Sequence, residues 1–226
     1  MISSLGPISS YETVIFDCDG VIFNSNLFKV KEFLSIAEKI GPCAKISMQK
    51  ILSKYQGESR YFLFKKFIDS FPEEERKRYK VDEFIETFAK GCLSNYKNVE
   101  RSKNISKLIK LIDANTMVVS SSDTIELKDL FIDLDLYKYF DSGIYGSPET
   151  KFQIISREIS SGRIKPKVLY FGDGKIDIEV CDKFGFDLIF VTDWTAMEDY
   201  KKICSKRDIF TIKSLDSYFL TQTVSI

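Results

Sequence analysis

Two carboxylates separated by one residue follow a short apolar run near the start of the chain. They are Asp17 and Asp19, in the segment 16–21 (FDCDGV). Paired carboxylates can divide a reaction between them, one acting as nucleophile and the other as general acid and base. Turns also favour Asp and Gly, so the pair gains weight only from the polar residues that come later in the chain.

Two further carboxylates, Asp173 and Asp177, occur in the segment 172–177 (GDGKID). Asp177 lies one helical turn beyond Asp173, so both can face the same opening. Carboxylates this close repel one another unless a cation compensates their charge. The all-oxygen set of Asp17, Asp19, Asp173 and Asp177 predicts a site for a hard ion, and Mg²⁺ is the usual one beside phosphate. The alternative is that Asp173 and Asp177 only start and cap a helix.

Hydroxyl groups and a lysine could complete a phosphate site. Ser120 ends a predicted strand, and the amides of Ser121 and Ser122 follow in the predicted turn, where free N–H groups bind phosphate oxygens. Simple N-capping by Ser122 or Asp123 is the alternative for these residues. Lys151 lies in the first turn of a predicted helix, where it opposes the helix dipole. Because this position is unfavourable for a cation, Lys151 is predicted to have a function, which is to offset the negative charge of the carboxylates and of a phosphate.

Alternating strands and helices would position these groups. Apolar runs rich in β-branched and aromatic residues predict strands at Thr13–Phe16, Thr116–Val119, Val168–Phe171 and Leu188–Val191, with Ile209–Ile212 as a candidate fifth. Helical spacing predicts helices at Glu126–Leu134, Glu149–Ile159 and Ile176–Phe184. The alternation indicates an α/β fold, a Rossmann-like three-layer α/β/α core with a parallel sheet. In such a sheet the polar strand ends meet at the carboxyl edge, where ligands bind.

Residues 25–98 break this alternation. Amphipathic helices are predicted at Leu27–Ile40, Lys45–Tyr55, Arg60–Ser70 and Val81–Tyr96, and Pro72 with the acids after it marks another helix start. Because no convincing strand is present, residues 25–98 are predicted to form an inserted α-helical cap domain. Residues 1–24 and 99–226 would then form the core domain. Closure of the cap would need hinges near residues 24–26 and 98–102.

Composition excludes several other kinds of chemistry. The 226 residues contain 33 Lys plus Arg, 33 Asp plus Glu and no His. Ser-His-Asp and Cys-His mechanisms and His-ligated zinc are therefore excluded. The balanced charge gives no reason to expect nucleic acid or an anionic membrane as a partner. The sequence does not indicate an oligomeric state.

The five cysteines are scattered, without a Cys-x-x-Cys pair, and are predicted to be free thiols. Cys18 could be mistaken for a phosphatase nucleophile, but Asn24 stands where such an enzyme needs Arg, so Cys18 is expected to point into packing. The N-terminal stretch does not have the pattern of a signal peptide, and no apolar run is long enough to span a membrane. A cytoplasmic location is therefore expected.

Taken in order, the motifs resemble a known family. Hydrophobic-Asp-x-Asp-Gly-Val, hydrophobic-Ser, a Lys opening a helix and Gly-Asp-x-x-x-Asp form a signature similar to that of the haloacid dehalogenase-like hydrolases, from Val14 to about Val191. The inserted helical segment resembles the branch that includes β-phosphoglucomutase and phosphoglycolate phosphatase. An acid at position 19 is typical of the phosphatases and phosphomutases of this family, and not of its dehalogenases or transport ATPases.

The resemblance implies a role for each motif residue. Asp17 would attack phosphorus and form an aspartyl phosphate, and Asp19 would protonate the leaving oxygen and then activate water. Ser120 and the amide of Ser121 would hold phosphate oxygens, and Lys151 would neutralise them.

The same resemblance implies the ligands of a Mg²⁺ ion. These are the Asp17 carboxylate, the Asp19 backbone carbonyl and Asp173, with Asp177 acting directly or through water.

The segment 57–60 (GESR) resembles a cap motif in which Arg contacts the substrate, so Arg60 is the candidate specificity residue. The alternative is a helix start with Ser59 as cap and Arg60 solvated. Mutases of this branch carry a His in the first cap helix; this chain has none, and Lys29 stands near the corresponding place.

The sequence therefore predicts a Mg²⁺-dependent phosphatase that acts on a small phosphomonoester, with sugar phosphates as the expected class. A phosphomutase of the β-phosphoglucomutase type and a catalytically silent phosphate-binding module are the alternatives.

Overall fold

The computed structural model describes residues 5–96 and 98–223. Its sheet has six strands in the order β3-β2-β1-β4-β5-β6, and each neighbouring pair is parallel. The strands are β1 Thr13–Phe16, β2 Asn115–Asp123, β3 Ile144–Ser147, β4 Val168–Gly172, β5 Asp187–Val191 and β6 Phe210–Ile212. β1 lies between β2 and β4, so the residues that follow these three strands meet at the carboxyl edge.

Helices cover both faces of the sheet. A further group of helices is inserted in the sequence between β1 and β2. Between β1 and β2 they are α1 Asn26–Ile40, α2 Pro42–Lys54, α3 Arg60–Asp69, α4 Glu73–Arg76 and α5 Val81–Tyr96. Around the sheet they are α6 Ile105–Lys110, α7 Thr124–Asp133, α8 Lys151–Ser160, α9 Lys175–Phe184, α10 Tyr200–Arg207 and α11 Leu215–Thr223.

Alternating side chains of the strands build two separate layers of core. Val14 and Phe16 pack towards α6, α7 and α11, and the Phe16 ring stacks on Phe171 with centroids 5.0 Å apart. Ile15 and Tyr170 point to the opposite face and pack with α8, α9 and α10. Both faces of the sheet are therefore buried, and the three-layer α/β/α prediction is confirmed.

Helices α1, α2, α3 and α5 share a third hydrophobic cluster of their own. It is centred on aromatic rings, and the Phe33 and Phe88 centroids lie 4.2 Å apart. Phe64 and Phe67 are fully buried within it. We call helices α1 to α5 the cap helices. The division into domains 1–24 with 99–226 and 25–98 stays a prediction, and its outer bounds, residues 1 and 226, lie outside the described residues.

The two connections between the cap helices and the sheet run side by side. The Asn24 amide donates to the Glu100 carbonyl at 2.9 Å, and the Ser102 amide donates to the Ile22 carbonyl at 2.9 Å. Phe23 and Arg101 form an antiparallel bridge. The segments predicted as hinges are therefore paired with each other, although their motion stays a prediction.

Strand β2 differs from the sequence prediction. It was expected to end at Val119, but it continues to Asp123, with a register irregularity against β3 between Val119 and Asp123. Ser121 and Ser122 therefore lie in an extended strand and not in a turn at a helix start. Such an irregularity interrupts the regular pairing of two strands and can redirect the side chains that follow it. Asp123 is the N-cap of α7, accepting from the amides of Ile125 and Glu126.

The Gly146→Ala substitution tests this close approach of β3 to β2. A Cβ atom at Gly146 would lie 2.1 Å from the Ser122 carbonyl oxygen, a backbone atom that cannot rotate away. We expect a loss of about 1–3 kcal/mol in the free energy of unfolding, measured by urea denaturation. Gly174→Ala is the matched control, because its Cβ would find its nearest atom at 3.6 Å and should cost less than about 1 kcal/mol. Equal stability of both variants would contradict the geometry.

Candidate active site

A cavity of about 630 Å³ lies between the cap helices and the carboxyl edge of the sheet. Most of the residues singled out in the sequence line it: Asp17, Asp19, Arg60, Ser120, Ser121, Asp173 and Asp177. Lys151 lies directly behind this surface, in contact with Asp17. The fold thus brings together all the predicted site residues, which are far apart in the sequence.

The Lys151 ammonium is the centre of the buried charge. Its Nζ atom lies 2.6 Å from Asp177 Oδ1 and 2.9 Å from Asp17 Oδ2, and the Lys151 side chain is almost fully buried. Burial alone would lower the pKa of Lys151, but Asp17 and Asp177 raise it well above its usual range. Lys151 is therefore a permanent cation. The Thr150 N-cap, which exchanges hydrogen bonds with Gln153, fixes the start of α8 where this side chain departs.

Asp177 is fully enclosed and holds the loop that follows β4. One carboxylate oxygen accepts from Lys151 and from the Tyr170 hydroxyl at 2.9 Å. The other accepts from the amides of Asp173, at 3.1 Å, and Gly174, at 3.0 Å. Because four donors already surround it, the most direct role of Asp177 is to position Lys151 and the Asp173 loop. The predicted contribution of Asp177 to a metal site would require sharing an oxygen that is already bonded.

Asp17 is fixed at both carboxylate oxygens. Oδ1 accepts from the Cys18 amide at 2.7 Å, and Oδ2 contacts Lys151. Burial raises the pKa of Asp17 to about 7, with a further contribution from Asp177 and Asp19 that Lys151 partly offsets. The charge of Asp17 is thus only partly compensated by the protein. Cys18 itself is fully buried in the core, as predicted, and the five cysteines are free thiols.

Oxygen atoms of Asp17, Asp173 and Asp177 lie within 4.8 Å of one another, which is compatible with a metal site. Burial raises the pKa of Asp173 well above its usual value, and the neighbouring Asp17 and Asp177 raise it further. Gly20, at φ 79°, lets Asp173 pack closely against the loop after β1, since a Cβ there would lie 2.1 Å from Asp173 Oδ2. Three carboxylates that share one ammonium, with oxygen atoms as the only ligands offered, fit a hard cation.

Asp19 is held by four donors, two from the cap helices. Lys29 Nζ of α1 lies 2.5 Å from Oδ2, and the Tyr96 hydroxyl of α5 donates to Oδ1 at 2.9 Å. Ser122 donates to Oδ2 at 2.6 Å, and Ser25 donates to Oδ1. Burial alone would raise the pKa of Asp19, but the Lys29 ammonium and these hydrogen bonds lower it well below its usual value. In this arrangement Asp19 is an anion.

The three serines that follow Val119 make different contacts. Ser120 is fully buried, lines the cavity and accepts from the Ser122 amide at 3.1 Å. The Ser121 hydroxyl donates to the Gly57 carbonyl of the cap at 2.5 Å, so it bridges the two parts of the cavity wall. The Ser122 amide, expected to be free for phosphate, donates to Ser120, and the Ser122 hydroxyl, expected in the alternative to cap a helix, contacts Asp19 and Lys29. The assignment of Ser120 and Ser121 to phosphate stays a prediction.

Arg60 lies at the start of α3, where the predicted N-cap Ser59 accepts from the Phe62 amide. The expected alternative of a solvated Arg60 is wrong, because the side chain is only 4% exposed. Its two terminal nitrogens contact both carboxylate oxygens of Glu126 at 2.7 and 2.5 Å. The Tyr61 hydroxyl beside it donates to Asp123 at 2.7 Å. Arg60 therefore joins the cap to α7, and its predicted contact with substrate stays a prediction.

Several residues at the site had no clear signal in the sequence. Asn26 donates to Asp173 Oδ2 at 2.8 Å, and its three-residue distance from Lys29 places both on one face of α1. That spacing could have indicated that a second residue of the cap helices contacts the site. Tyr96, Tyr170 and Glu126 could not be found in this way, because their roles depend on contacts between distant parts of the chain.

Comparison with known proteins identifies the family of the chain. The profile of the haloacid dehalogenase-like hydrolases matches residues 14–191, so the chain belongs to this family. Comparison with curated proteins gives no match.

Solved structures share the architecture. The chain is 19% identical to a haloacid dehalogenase-like family hydrolase from Streptococcus pneumoniae, with a TM-score of 0.66 over 93% of this chain and 99% of that one. It is 16% identical to a predicted phosphoglycolate phosphatase from Haemophilus somnus, with a TM-score of 0.71 over 96% and 100%. It is 20% identical to a predicted phosphatase from Clostridium acetobutylicum, with a TM-score of 0.68 over 96% and 99%. At these identities the likeness establishes the shared fold.

The Asp177→Asn substitution tests the buried charge around Lys151. It replaces an anion by a neutral amide and leaves the Lys151 ammonium with Asp17 as its remaining carboxylate. We expect a loss of about 3–5 kcal/mol in the free energy of unfolding, because a buried charge loses its closest partner. The matched control is Asp182→Asn, which removes an exposed partner of Arg207 and should cost at most about 1 kcal/mol. A stable Asp177→Asn variant would show that Lys151 does not need this partner.

Proposed function

We propose that the protein is a Mg²⁺-dependent phosphatase that hydrolyses a small phosphomonoester through an aspartyl phosphate on Asp17. The observation that carries this proposal is the fixed Asp17 carboxylate at the cavity wall, between the Lys151 ammonium and the Cys18 amide. Asp173 and Ser120 line the same cavity. Similarity to proteins described as a predicted phosphoglycolate phosphatase and a predicted phosphatase supports the same class of reaction.

In the first step, an oxygen of Asp17 attacks phosphorus and the bond from phosphorus to the leaving oxygen breaks. The leaving oxygen keeps the electron pair and takes a proton from Asp19. Lys151 neutralises charge on Asp17 and on the phosphoryl oxygens, while Ser120 and the Ser121 amide position those oxygens. Such charge neutralisation and positioning supply most of the catalysis in phosphoryl transfer.

In the second step, Asp19 accepts a proton from water as that water attacks the phosphorus of the aspartyl phosphate. The bond between phosphorus and the Asp17 oxygen breaks, which releases inorganic phosphate and restores the Asp17 carboxylate. Asp19 is protonated again and ready for the next substrate.

Asp19 can donate a proton only after its surroundings change, because the structure holds it as an anion with Lys29 at 2.5 Å. Lys29 and Tyr96 both belong to the cap helices, so displacement of the cap removes two of the four donors that keep Asp19 ionised. Substrate entry and protonation of Asp19 are thereby linked to the same movement.

Asp17, Asp173 and the Asp19 backbone carbonyl would hold the Mg²⁺ ion, with Asp177 behind them. When bound, the ion would supply positive charge that offsets the carboxylates and the phosphoryl group. The raised pKa values of Asp17 and Asp173 support this assignment, because they indicate negative charge that the protein itself leaves uncompensated.

Hydrolysis is favoured over phosphomutase activity. A mutase must also hold a second phosphate, and the two cap cations that line the cavity, Lys29 and Arg60, are already paired with Asp19 and Glu126. A silent binding module is disfavoured because Asp17, Asp19 and Lys151 keep the arrangement that the reaction needs. The expectation of a sugar phosphate as substrate rests on the resemblance alone, and the cytoplasmic location stays a prediction. Among the described residues, no helix has the length and apolar character needed to cross a bilayer.

The Asp17→Asn substitution tests the nucleophile. An amide cannot form the aspartyl phosphate, so release of inorganic phosphate from a panel of small phosphomonoesters should fall by several orders of magnitude. Circular dichroism of the variant should match that of the wild type. Retained hydrolysis in the folded variant would overturn the assignment of Asp17. Production of an isomeric sugar phosphate, dependent on a bisphosphate, would support the mutase instead.

Removal of divalent cations tests the metal site. Chelation should abolish hydrolysis, and added Mg²⁺ should restore it. Mg²⁺ should also stabilise the wild type, by about 2.7 kcal/mol at 100 times its Kd, and raise its Tm. The Asp173→Asn variant should show little of this rise, because it lacks one ligand. An equal rise in both proteins would place the ion elsewhere.

A further inference from the structure

The cavity extends beyond the carboxylates towards an apolar wall built by the cap helices. Val30 and Leu34 of α1 and Leu52 of α2 line the cavity and are half-buried, so part of each side chain faces the open space. Phe33 and Phe88 lie deeper in the same wall and are almost fully buried. Solvent in contact with this wall would be displaced favourably by an apolar group.

Among the described residues, the cap cations that line the cavity, Lys29 and Arg60, are already paired with protein groups. Lys29 contacts Asp19 and the Ser122 hydroxyl, and Arg60 contacts both oxygens of Glu126. An additional carboxylate or phosphate on the substrate would have to break one of these pairs.

Uncompensated acids also line the cavity. Glu58, Glu198 and Asp199 face it, and none of them makes an ion pair within residues 5–96 and 98–223. They would repel an anionic leaving group, because like charges at short range are unfavourable in a partly enclosed space.

The remaining polar groups of the cap wall are uncharged. Gln49, Ser53 and Gln56 line the cavity beside Leu52. Such groups can donate or accept single hydrogen bonds at the end of an apolar leaving group. A hydroxyl-covered sugar would meet these three residues but would also place polar groups against Val30, Leu34 and Leu52, where they lose hydrogen bonds to water.

We propose that the substrate is a phosphomonoester of an uncharged, largely apolar alcohol, with an alkyl or aryl leaving group lying against Val30, Leu34 and Leu52. This inference rests on the phosphatase function proposed above and narrows its substrate class away from sugar phosphates and acids. The volume of about 630 Å³ accommodates either kind of leaving group, so the selection comes from the chemistry of the wall and not from its size.

A matched set of substrates tests the proposal on the wild-type protein with Mg²⁺. The set contains ethyl phosphate, hexyl phosphate, 6-phosphooxyhexanoate and glucose 6-phosphate. We expect kcat/KM for hexyl phosphate to exceed that for ethyl phosphate by about tenfold or more, because the added methylenes leave water. The terminal carboxylate of 6-phosphooxyhexanoate should cancel this gain, and glucose 6-phosphate should be no better than ethyl phosphate.

Substitutions in α2 test whether Leu52 is responsible for the preference for hexyl phosphate. Leu52→Asn should reduce the ratio of kcat/KM for hexyl over ethyl phosphate several-fold. Ile46→Asn, on the same helix, is the matched control: Ile46 is 52% exposed and does not line the cavity, so the ratio should stay at the wild-type value.

The outcomes separate the two proposals. Hydrolysis of all four esters with glucose 6-phosphate or 6-phosphooxyhexanoate preferred would overturn the apolar leaving group and leave the phosphatase standing. A hexyl preference that Leu52→Asn leaves intact would also overturn the assigned wall. Absence of phosphate release from every ester, in protein that binds Mg²⁺, would overturn the phosphatase proposal itself.

Discussion

One buried ammonium makes the rest of the site possible. Carboxylates gathered at the edge of a sheet repel one another and resist burial, and Lys151 offsets both effects for Asp17 and Asp177 at once. Asp177, which is paired with Lys151, also accepts hydrogen bonds from the amides of Asp173 and Gly174. These bonds set the position of Asp173 in the loop after β4. The protein stops short of full neutralisation, however. Burial and the neighbouring carboxylates still raise the pKa values of Asp17 and Asp173, which is compatible with a cation site beside them.

The parallel sheet explains how residues so distant in sequence meet around that ammonium. Because β1 lies between β2 and β4, Asp17 has Ser120 on one side and Asp173 on the other. Tyr170 points from β4 into the layer that contains α8, and its hydroxyl lies 3.3 Å from Lys151 Nζ. At the irregular end of β2, the Ser122 hydroxyl donates a hydrogen bond to Asp19. The groups of the site are therefore positioned by the carboxyl ends of neighbouring strands.

Local pattern sufficed to predict most of the core and the identity of the acidic residues. Apolar runs marked β1, β2, β4, β5 and β6, and helical periodicity marked most of the larger helices, including α5 with its observed bounds Val81–Tyr96. Strand β3, Ile144–Ser147, was not predicted, because a four-residue strand that contains Gly has little β signal. Helices α6, α10 and α11 were missed, and their short length gives few turns over which a period can be recognised. The pairing of Arg60 with Glu126 was beyond prediction, because it depends on how α3 meets α7 in space.

The contrast between the inside of the cap and its contact with the sheet has a physical consequence. Inside, the cap helices are joined by an aromatic cluster separate from the two clusters of the sheet layers. Between the cap and the sheet, beside an aromatic contact of Phe23 with Tyr96, polar pairs join Lys29 to Asp19, Asn26 to Asp173 and Arg60 to Glu126. Groups of this kind can exchange protein partners for water at a modest net cost, whereas an apolar cluster cannot open without a large one. Under the proposed function, a movement of the cap against the sheet would leave the apolar clusters intact and would first change the contacts of Asp19. If Asp19 is the proposed acid and base, these same contacts would control its charge state.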